Sequence, residues 1–289
     1  MSICQIITDS TADLKDSLLE CNHLHVMSIP LTLKEHEISY VDNKDFHIHD
    51  FYNDLREGIA YNTSQISPNT YNEVFERYLS EGQDILYIAF SSALSSTYNS
   101  ACISASELKE KYPNRKLYIC DSLCASAGQG LLVQTAVEKQ LEGMSIDELY
   151  QWVEHAKNQI CHWFSVKDLM YLKRSGRLSS TQAFLGTAFK INPILHVDPT
   201  GHLVPVTKVR GRKNSIHKIV ETFEKGWDGD KSNYVFIAHG DCEEDAVYLQ
   251  SLLLEKYPDV KFHITTIGPV IGTHAGPDVI LLCYFGNNR

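Results

Sequence analysis

The chain of 289 residues lacks most of the features that would settle its class at once. Its 8 cysteines, at 4, 21, 102, 120, 124, 161, 242 and 283, include no CxxC pair and no tight ladder. In a chain this long that fits a reducing cytoplasm better than a disulfide scaffold. No run of eighteen apolar residues exists, so no transmembrane helix is expected. The opening MSICQIITDS has neither the charged start nor the long apolar stretch of a secretion signal. Basic charge is scarce: 26 Lys and Arg against 36 Asp and Glu leave a formal net charge of −10, which counts against a nucleic-acid partner. There is no GxxxxGK[ST] loop, no GxGxxG after a strand and no GxSxG elbow, so neither a Walker-type nucleotide site nor a dinucleotide fold is signalled. His47 and His49 form an HxH, but no nearby Cys or His completes a tetrahedral metal set, and they read as surface residues.

What remains is 43% hydrophobic and 21% charged, enough apolar residues to bury a full core. Short apolar runs alternate with amphipathic stretches. QIITDS (5–10), DILYIAF (84–90) and KLYICDS (116–122) read as buried strands, with helical spacing at Leu14–Cys21, Asp45–Arg56, Asn69–Leu79 and Thr97–Tyr112. YNTSQISP (61–68) reads as extended, ended by Pro68. Ala125–Leu141 is a long helix, and Ser145 with Glu148 makes a capping box for the next one. This alternation predicts a parallel sheet with helices on its faces. Near residue 160 the pattern changes. CHWFSV (161–166) is a strand, and INPILHVD (191–198) and HLVPVTKVR (202–210) flank a turn at Pro199–Gly201 as an antiparallel hairpin. The expected fold is α/β, with a parallel-sheet α/β domain over residues 1–159 and an α+β domain over residues 160–289.

Polar clusters sit where strands end: TDST (8–11), TSQISP (63–68) and SSALSSTYNSA (91–101). Ligands of parallel α/β sheets bind beyond the carboxyl ends of the strands, so the first and third clusters should converge. GPVIGTHAGP (268–277) adds a glycine-rich stretch that lets backbone approach a ligand. Any one cluster serves equally well as a cap or a solvated turn; four in one chain point to a site. One chemistry open to them is hydrolysis, with Ser95, His274 and Asp9 drawn as a Ser-His-Asp relay.

The segments IITDSTADL (6–14), TSQISP, SSALSSTYNSA, DSLCASAGQG (121–130), LKRSGRLS (172–179), KINPIL (190–195), KVRGRK (208–213) and IGPVIGTHAGP (267–277) occur in an order that resembles the DegV family across nearly the whole chain. That family includes the fatty-acid-binding subunits of bacterial fatty acid kinase. The resemblance implies a long-chain fatty acid buried between the two domains, no cofactor and no catalysis by this chain alone. It also implies an ATP-dependent kinase subunit as partner, with the acyl-phosphate product feeding phospholipid synthesis. It assigns the carboxylate to the hydroxyls of Thr63 and Ser95, the backbone N–H of Ser96 and the neighbouring His274. Ile29, Phe164, Phe184, Phe189 and Ile191 are candidate walls of the acyl tunnel. Arg174, Arg177, Arg210, Arg212 and Lys213 are candidates for docking the kinase. A carrier or sensor of another lipophilic acid, with no kinase partner, carries the same pattern. The chain departs from the family where it has Ser96, Ser175 and Asp278, positions at which glycine is usual.

Overall fold

The computed structural model describes residues 4–34, 36–41, 45–178, 191–230, 234–287 and 289. Phe184 and Phe189 lie outside these residues. The first half runs β1 (Gln5–Asp9), α1 (Asp16–Leu19), β2 (Leu24–Met27), β3 (Leu31–Leu33), β4 (His36–Ile38), α2 (Ile48–Arg56), β5 (Tyr61–Thr63), α3 (Pro68–Ser80), β6 (Ile85–Ala89), α4 (Thr97–Lys111), β7 (Leu117–Asp121), α5 (Ala127–Leu141) and α6 (Ile146–Ala156). The second runs β8 (Ile160–Ser165), α7 (Met170–Arg174), β9 (Ile191–Val197), β10 (Leu203–Arg210), α8 (Arg212–Gly226), β11 (Tyr234–His239), α9 (Glu243–Lys256), β12 (Lys261–Thr266), α10 (Pro269–Ala275) and β13 (Ile280–Phe285).

The fold is α/β. Four parallel strands form one sheet in the order β2-β1-β6-β7. Six strands form a mixed sheet in the order β10-β9-β8-β13-β11-β12, in which only β11 and β12 run parallel. The hairpin read from 191–210 is its β9–β10 edge, with a bulge between Pro205 and Thr207. A small antiparallel sheet, β4-β3-β5, is built from stretches that read as extended in the sequence (25–33, 37–41 and 61–68), but their pairing was not legible there. Its strands have three residues each, too few to show a period.

The central strands of both large sheets are covered on both faces, so β1, β6, β8 and β13 are buried at every position rather than alternating. In β6, Leu86 and Ile88 face α5 and α6, while Ile85, Tyr87 and Ala89 face α3 and α4. In β8, Ile160 and Phe164 join the core shared with α5, while Cys161 and Trp163 pack under α8 and α9. α5 thus lies between the two sheets. That explains why twelve of its fifteen residues are buried and it shows no polar face.

Pro68 ends the extended stretch and is itself the first residue of α3, where the Ser67 hydroxyl accepts the N–H of Thr70 at 3.1 Å. One local reading changes. GPVIGTHAGP is not a backbone-exposing loop; Pro269 starts α10 there. Its glycines serve packing instead. A β-carbon on Gly272 would come within 2.8 Å of Phe51 and 2.9 Å of the Tyr52 hydroxyl, so α10 presses directly on α2.

TDST also turns inward. The Asp9 carboxylate accepts the Thr11 N–H (3.1 Å), the Tyr87 hydroxyl (3.0 Å) and the Phe90 N–H (3.0 Å). Thr8 donates to the Ile88 carbonyl at 2.8 Å. These bonds tie the end of β1 to the end of β6, and neither Asp9 nor Thr8 is exposed.

The tightest backbone approach is at the start of α5. A β-carbon on Gly128 would lie 1.9 Å from Nε2 of His162. Gly128→Ala is therefore expected to lower stability by about 1–3 kcal/mol through overpacking. The double variant Gly128→Ala/His162→Ala should recover part of that loss in urea denaturation. A single variant as stable as the parent would contradict this packing.

Candidate functional site

Where β6 ends, the inner face of the six-stranded sheet and α10 enclose a cavity of ≈ 200 Å³. Phe164, Val197, Leu203 and Leu281 line it from the six-stranded sheet, and Ile29, Phe90 and Leu94 from the other side. The wall is overwhelmingly apolar, which suits a hydrocarbon.

Four sequence-predicted residues, Thr63, Ser95, Ser96 and His274, all line this cavity. They come from distant parts of the chain. Thr63 ends β5 and pairs with Leu31 in the small sheet. Ser95 and Ser96 precede α4, and His274 sits in the last turn of α10. The Thr63 hydroxyl lies 2.8 Å from His274 Nε2. The Ser95 hydroxyl is 2.9 Å from that of Thr97 and accepts the Thr97 N–H at 3.3 Å, so it is tied to the first residue of α4 while lining the cavity. Ser96 has φ −79°, an ordinary conformation, so serine costs nothing where the family pattern suggests glycine.

Arg177 was placed on a docking surface by sequence reasoning. It is half-buried and lines the cavity. Its Nε donates to the Leu94 carbonyl (3.2 Å) and its Nη1 to that of Ser175 (2.6 Å), which sets it beside Ser95. Arg177 is the one permanently charged side chain among the described lining residues. Thr63, Ser95, His274 and Arg177 thus gather the polar groups toward one end. The other buried polar side chains are committed elsewhere. His162 accepts the Ala125 N–H at Nε2 (3.4 Å) and meets the Ile160 carbonyl at Nδ1 (3.2 Å). Ser126 donates to Asp13 at 2.5 Å.

The tunnel candidates divide. Ile29 and Phe164 line the cavity; Ile191 does not. Ile191 shares a strand face with Val197, which does line it, but lies at the opposite end of β9, roughly 20 Å away at the strand rise. The basic candidates do not form one patch either. Arg177 lies beside the Leu203 end of β10, where Leu178 bridges to Leu203. Arg210 ends that strand roughly 20 Å away. Arg212 is held by Asp245 at 2.8 Å, and the Lys213 ammonium lies 5.8 Å from the Tyr248 ring. Arg210 is exposed.

The hydrolase relay is not assembled. His274 bonds Thr63 rather than Ser95, and Asp9 is spent on Thr11, Tyr87 and Phe90. The described residues contain no metal-binding group of His, Cys, Asp or Glu. No helix among them is long and apolar enough to cross a membrane.

Asp278 has φ 60°, the left-handed region where glycine is favoured. Here aspartate occupies it and gains two ion pairs, with Arg56 (3.3 Å) and Lys167 (2.8 Å).

The profile of "Uncharacterised protein, DegV family" matches residues 4–287. A DegV domain-containing protein of Clostridium perfringens is 43% identical over 286 residues, covering 98% of each chain. Among solved structures, a DegV family protein of Thermus thermophilus, described for its fatty acid binding, superposes with a TM-score of 0.86. It is 29% identical and covers 98% of this chain and 100% of its own. DegV of Bacillus subtilis, a fatty acid binding protein, superposes at 0.83 with 30% identity, covering 99% and 100%.

Burial, helped by the nearby Arg177 charge, lowers His274 from its ordinary 6.5 to about 4. Between those values the unfolded chain holds a proton that the folded chain does not. The stability from this group is therefore complete above about pH 6.5 and is lost as pH falls toward 4. His162, lowered by burial to about 3, acts in the same direction. Asp13, raised by burial from 3.8 to about 7, acts in the opposite one, losing its contribution as pH rises between those values. His274→Gln is expected to flatten the fall in urea midpoint between pH 6.5 and 4.5. An unchanged slope would show that His274 is not held neutral.

Proposed function

The chain belongs to the DegV family, and on that premise we propose that it holds a long-chain fatty acid in this cavity and presents the carboxylate to a separate ATP-using kinase subunit. In this reading residues 1–159 and 160–289 form two domains with the ligand between them, and the protein works in the cytoplasm. A carboxylate oxygen attacks the terminal phosphorus of ATP on the kinase, and the bond to the departing ADP breaks. The acyl phosphate then feeds phospholipid synthesis. The observation that carries the reading is the asymmetry of the cavity: an apolar wall, with donors drawn together at Thr63, His274, Ser95 and Arg177.

The chemistry follows from that asymmetry. Thr63 and Ser95 donate hydroxyl protons to the carboxylate. The N–H of Ser96 opens α4, whose N-terminal dipole favours an anion. For Thr63 to donate, neutral His274 must carry its proton on Nε2 and give it to the Thr63 oxygen. Each such charge-assisted bond is worth roughly 1.5–3 kcal/mol. A buried tail of about fourteen methylenes contributes roughly 11 kcal/mol, at about 0.8 per methylene. The tail therefore governs affinity and the hydroxyls govern which end faces out. Hydroxyls also hold the acid without the bidentate grip of an ion pair, which leaves an oxygen able to react.

Lipid extraction and mass spectrometry of the purified protein test the reading directly: a long-chain fatty acid should be present, and an empty protein would count heavily against it. Thr63→Ala/Ser95→Ala should keep most of its lipid while accepting phosphate poorly from the kinase. Complete loss of lipid would overturn the energy ranking. Arg210→Glu, at the exposed end of β10, should lower phosphorylation while leaving lipid content unchanged; unaltered turnover would remove Arg210 from the docking surface.

A further inference from the structure

α2 and its neighbours in the first half carry a core of their own. Leu31 of β3, Phe51, Tyr52 and Leu55 of α2, and Tyr61 of β5 form a buried cluster separate from the cores of the two large sheets. Among the described apolar residues packed on that cluster, Tyr171 alone comes from the second half of the chain. The chain leaves this unit at Thr63, which lines the cavity. Across to the second half its contacts are largely polar. The Tyr52 hydroxyl donates to the Ile267 carbonyl and the Tyr171 hydroxyl to that of Leu55, both at 2.8 Å.

The charged contacts converge on two aspartates. Asp241 follows β11 and Asp278 precedes β13, and their loops are joined by the bonds Gly240 N–H to Val279 carbonyl (2.9 Å) and Asp278 N–H to Gly240 carbonyl (2.7 Å). Both aspartates have positive φ, 57° and 60°, where glycine would be free of strain. Both carboxylates nonetheless meet Arg56 of α2. Its Nη1 donates to the Asp241 carboxylate, and its Nη2 to the Asp241 carbonyl (3.1 Å) and the Asp278 carboxylate (3.3 Å). His49 Nδ1 lies 2.9 Å from Asp241, and Lys167 Nζ 2.8 Å from Asp278. The Arg56 side chain is 33% exposed, so water and salt reach the set.

We propose that Arg56, Asp241 and Asp278 form an ionic latch that gates passage of the lipid into and out of the cavity. Closed, the latch holds α2 and β5 against the second half. Released, α2 and β5 swing away with their own core intact and part Thr63 from His274, which opens the cavity wall at that contact. This rests on the reading of the cavity as a fatty-acid site. The division of contacts suits such a motion. An apolar core resists exposure to water and keeps the moving unit in one piece, whereas hydrogen bonds and exposed ion pairs are exchanged for water at small net cost. A latch that is the same with and without lipid alters the rate of exchange and leaves the affinity in place.

The test follows uptake of labelled hexadecanoate by the full chain and its release into excess serum albumin. Asp278→Gly removes two ion pairs and relieves the backbone at once, so the fold is retained; Arg56→Gln removes the shared cation. Both variants should raise the uptake and release rates by about fivefold and leave Kd within about twofold. Arg56→Lys should fall between. Salt at about 0.5 M should speed exchange in the parent and leave Arg56→Gln unchanged. Lys111→Gln, which breaks the Lys111–Glu76 pair between α4 and α3, should match the parent. Unchanged rates in Asp278→Gly and Arg56→Gln, an equal rise in Lys111→Gln, or weaker binding without faster exchange would each overturn the latch and leave the fatty-acid reading intact. A parent that binds no hexadecanoate would overturn the fatty-acid reading. Amide hydrogen exchange of α2 without lipid then tests the latch separately: it should be faster in Asp278→Gly than in the parent, and equal protection would overturn it.

Discussion

The buried carboxylate of Asp9 is the contact on which the site geometry depends. It is wholly shielded from water, and its four donors are the N–H and hydroxyl of Thr11 in the turn that follows β1, the Tyr87 hydroxyl of β6 and the N–H of Phe90 just beyond β6. A buried charge of this kind is tolerable only when its lone pairs are used. Because they are, the ends of β1 and β6 are locked in register. The chain then leaves β6 at Phe90 in a fixed direction, which sets where Ser95, Ser96 and the start of α4 lie. On the other side of α5, Gln129 donates to the Thr8 hydroxyl at 3.0 Å, so the helix between the sheets is fastened to the same polar knot.

A second constraint acts on α10. Tyr52 donates to the Ile267 carbonyl at 2.8 Å, and the Asp13 carboxyl accepts the Gly268 N–H at 2.8 Å. These bonds anchor the helix at its beginning, and close packing of Gly272 on Phe51 and Tyr52 anchors its middle. His274 is thereby brought to Thr63 from a position 211 residues away in the chain. Every polar group facing the cavity, Arg177 aside, is neutral at ordinary pH or engaged by a neighbour. The field at the polar end is therefore set by one cation and by oriented dipoles.

Much of this was legible in the sequence, for identifiable reasons. The strand–helix alternation, the Ser145–Glu148 box and the β9–β10 hairpin rest on periodicity and turn chemistry, which are local properties. The box is present in full, with Glu148 accepting the Ser145 N–H at 2.9 Å. What could not be read depends on distant neighbours. α10 looks like a loop because its proline and glycines are helix-breaking by propensity, yet packing on α2 requires one of those glycines. Ile191 has the parity of a cavity residue, but parity does not say how far along the strand the cavity extends. Arg177 and Arg174 look alike on paper; only the half-burial of Arg177 separates them. Asp9 could be recognised as a strand-end carboxylate, but its inward turn is a tertiary fact.

The division of labour in the cavity wall separates size from chemistry. The polar end is assembled from β5, the approach to α4 and α10, whereas much of the apolar wall comes from β8, β9, β10 and β13. Phe164, Val197, Leu203 and Leu281 can therefore change in size without disturbing Thr63, Ser95 or His274. The length and shape of the apolar space can therefore vary independently of the donors at its polar end.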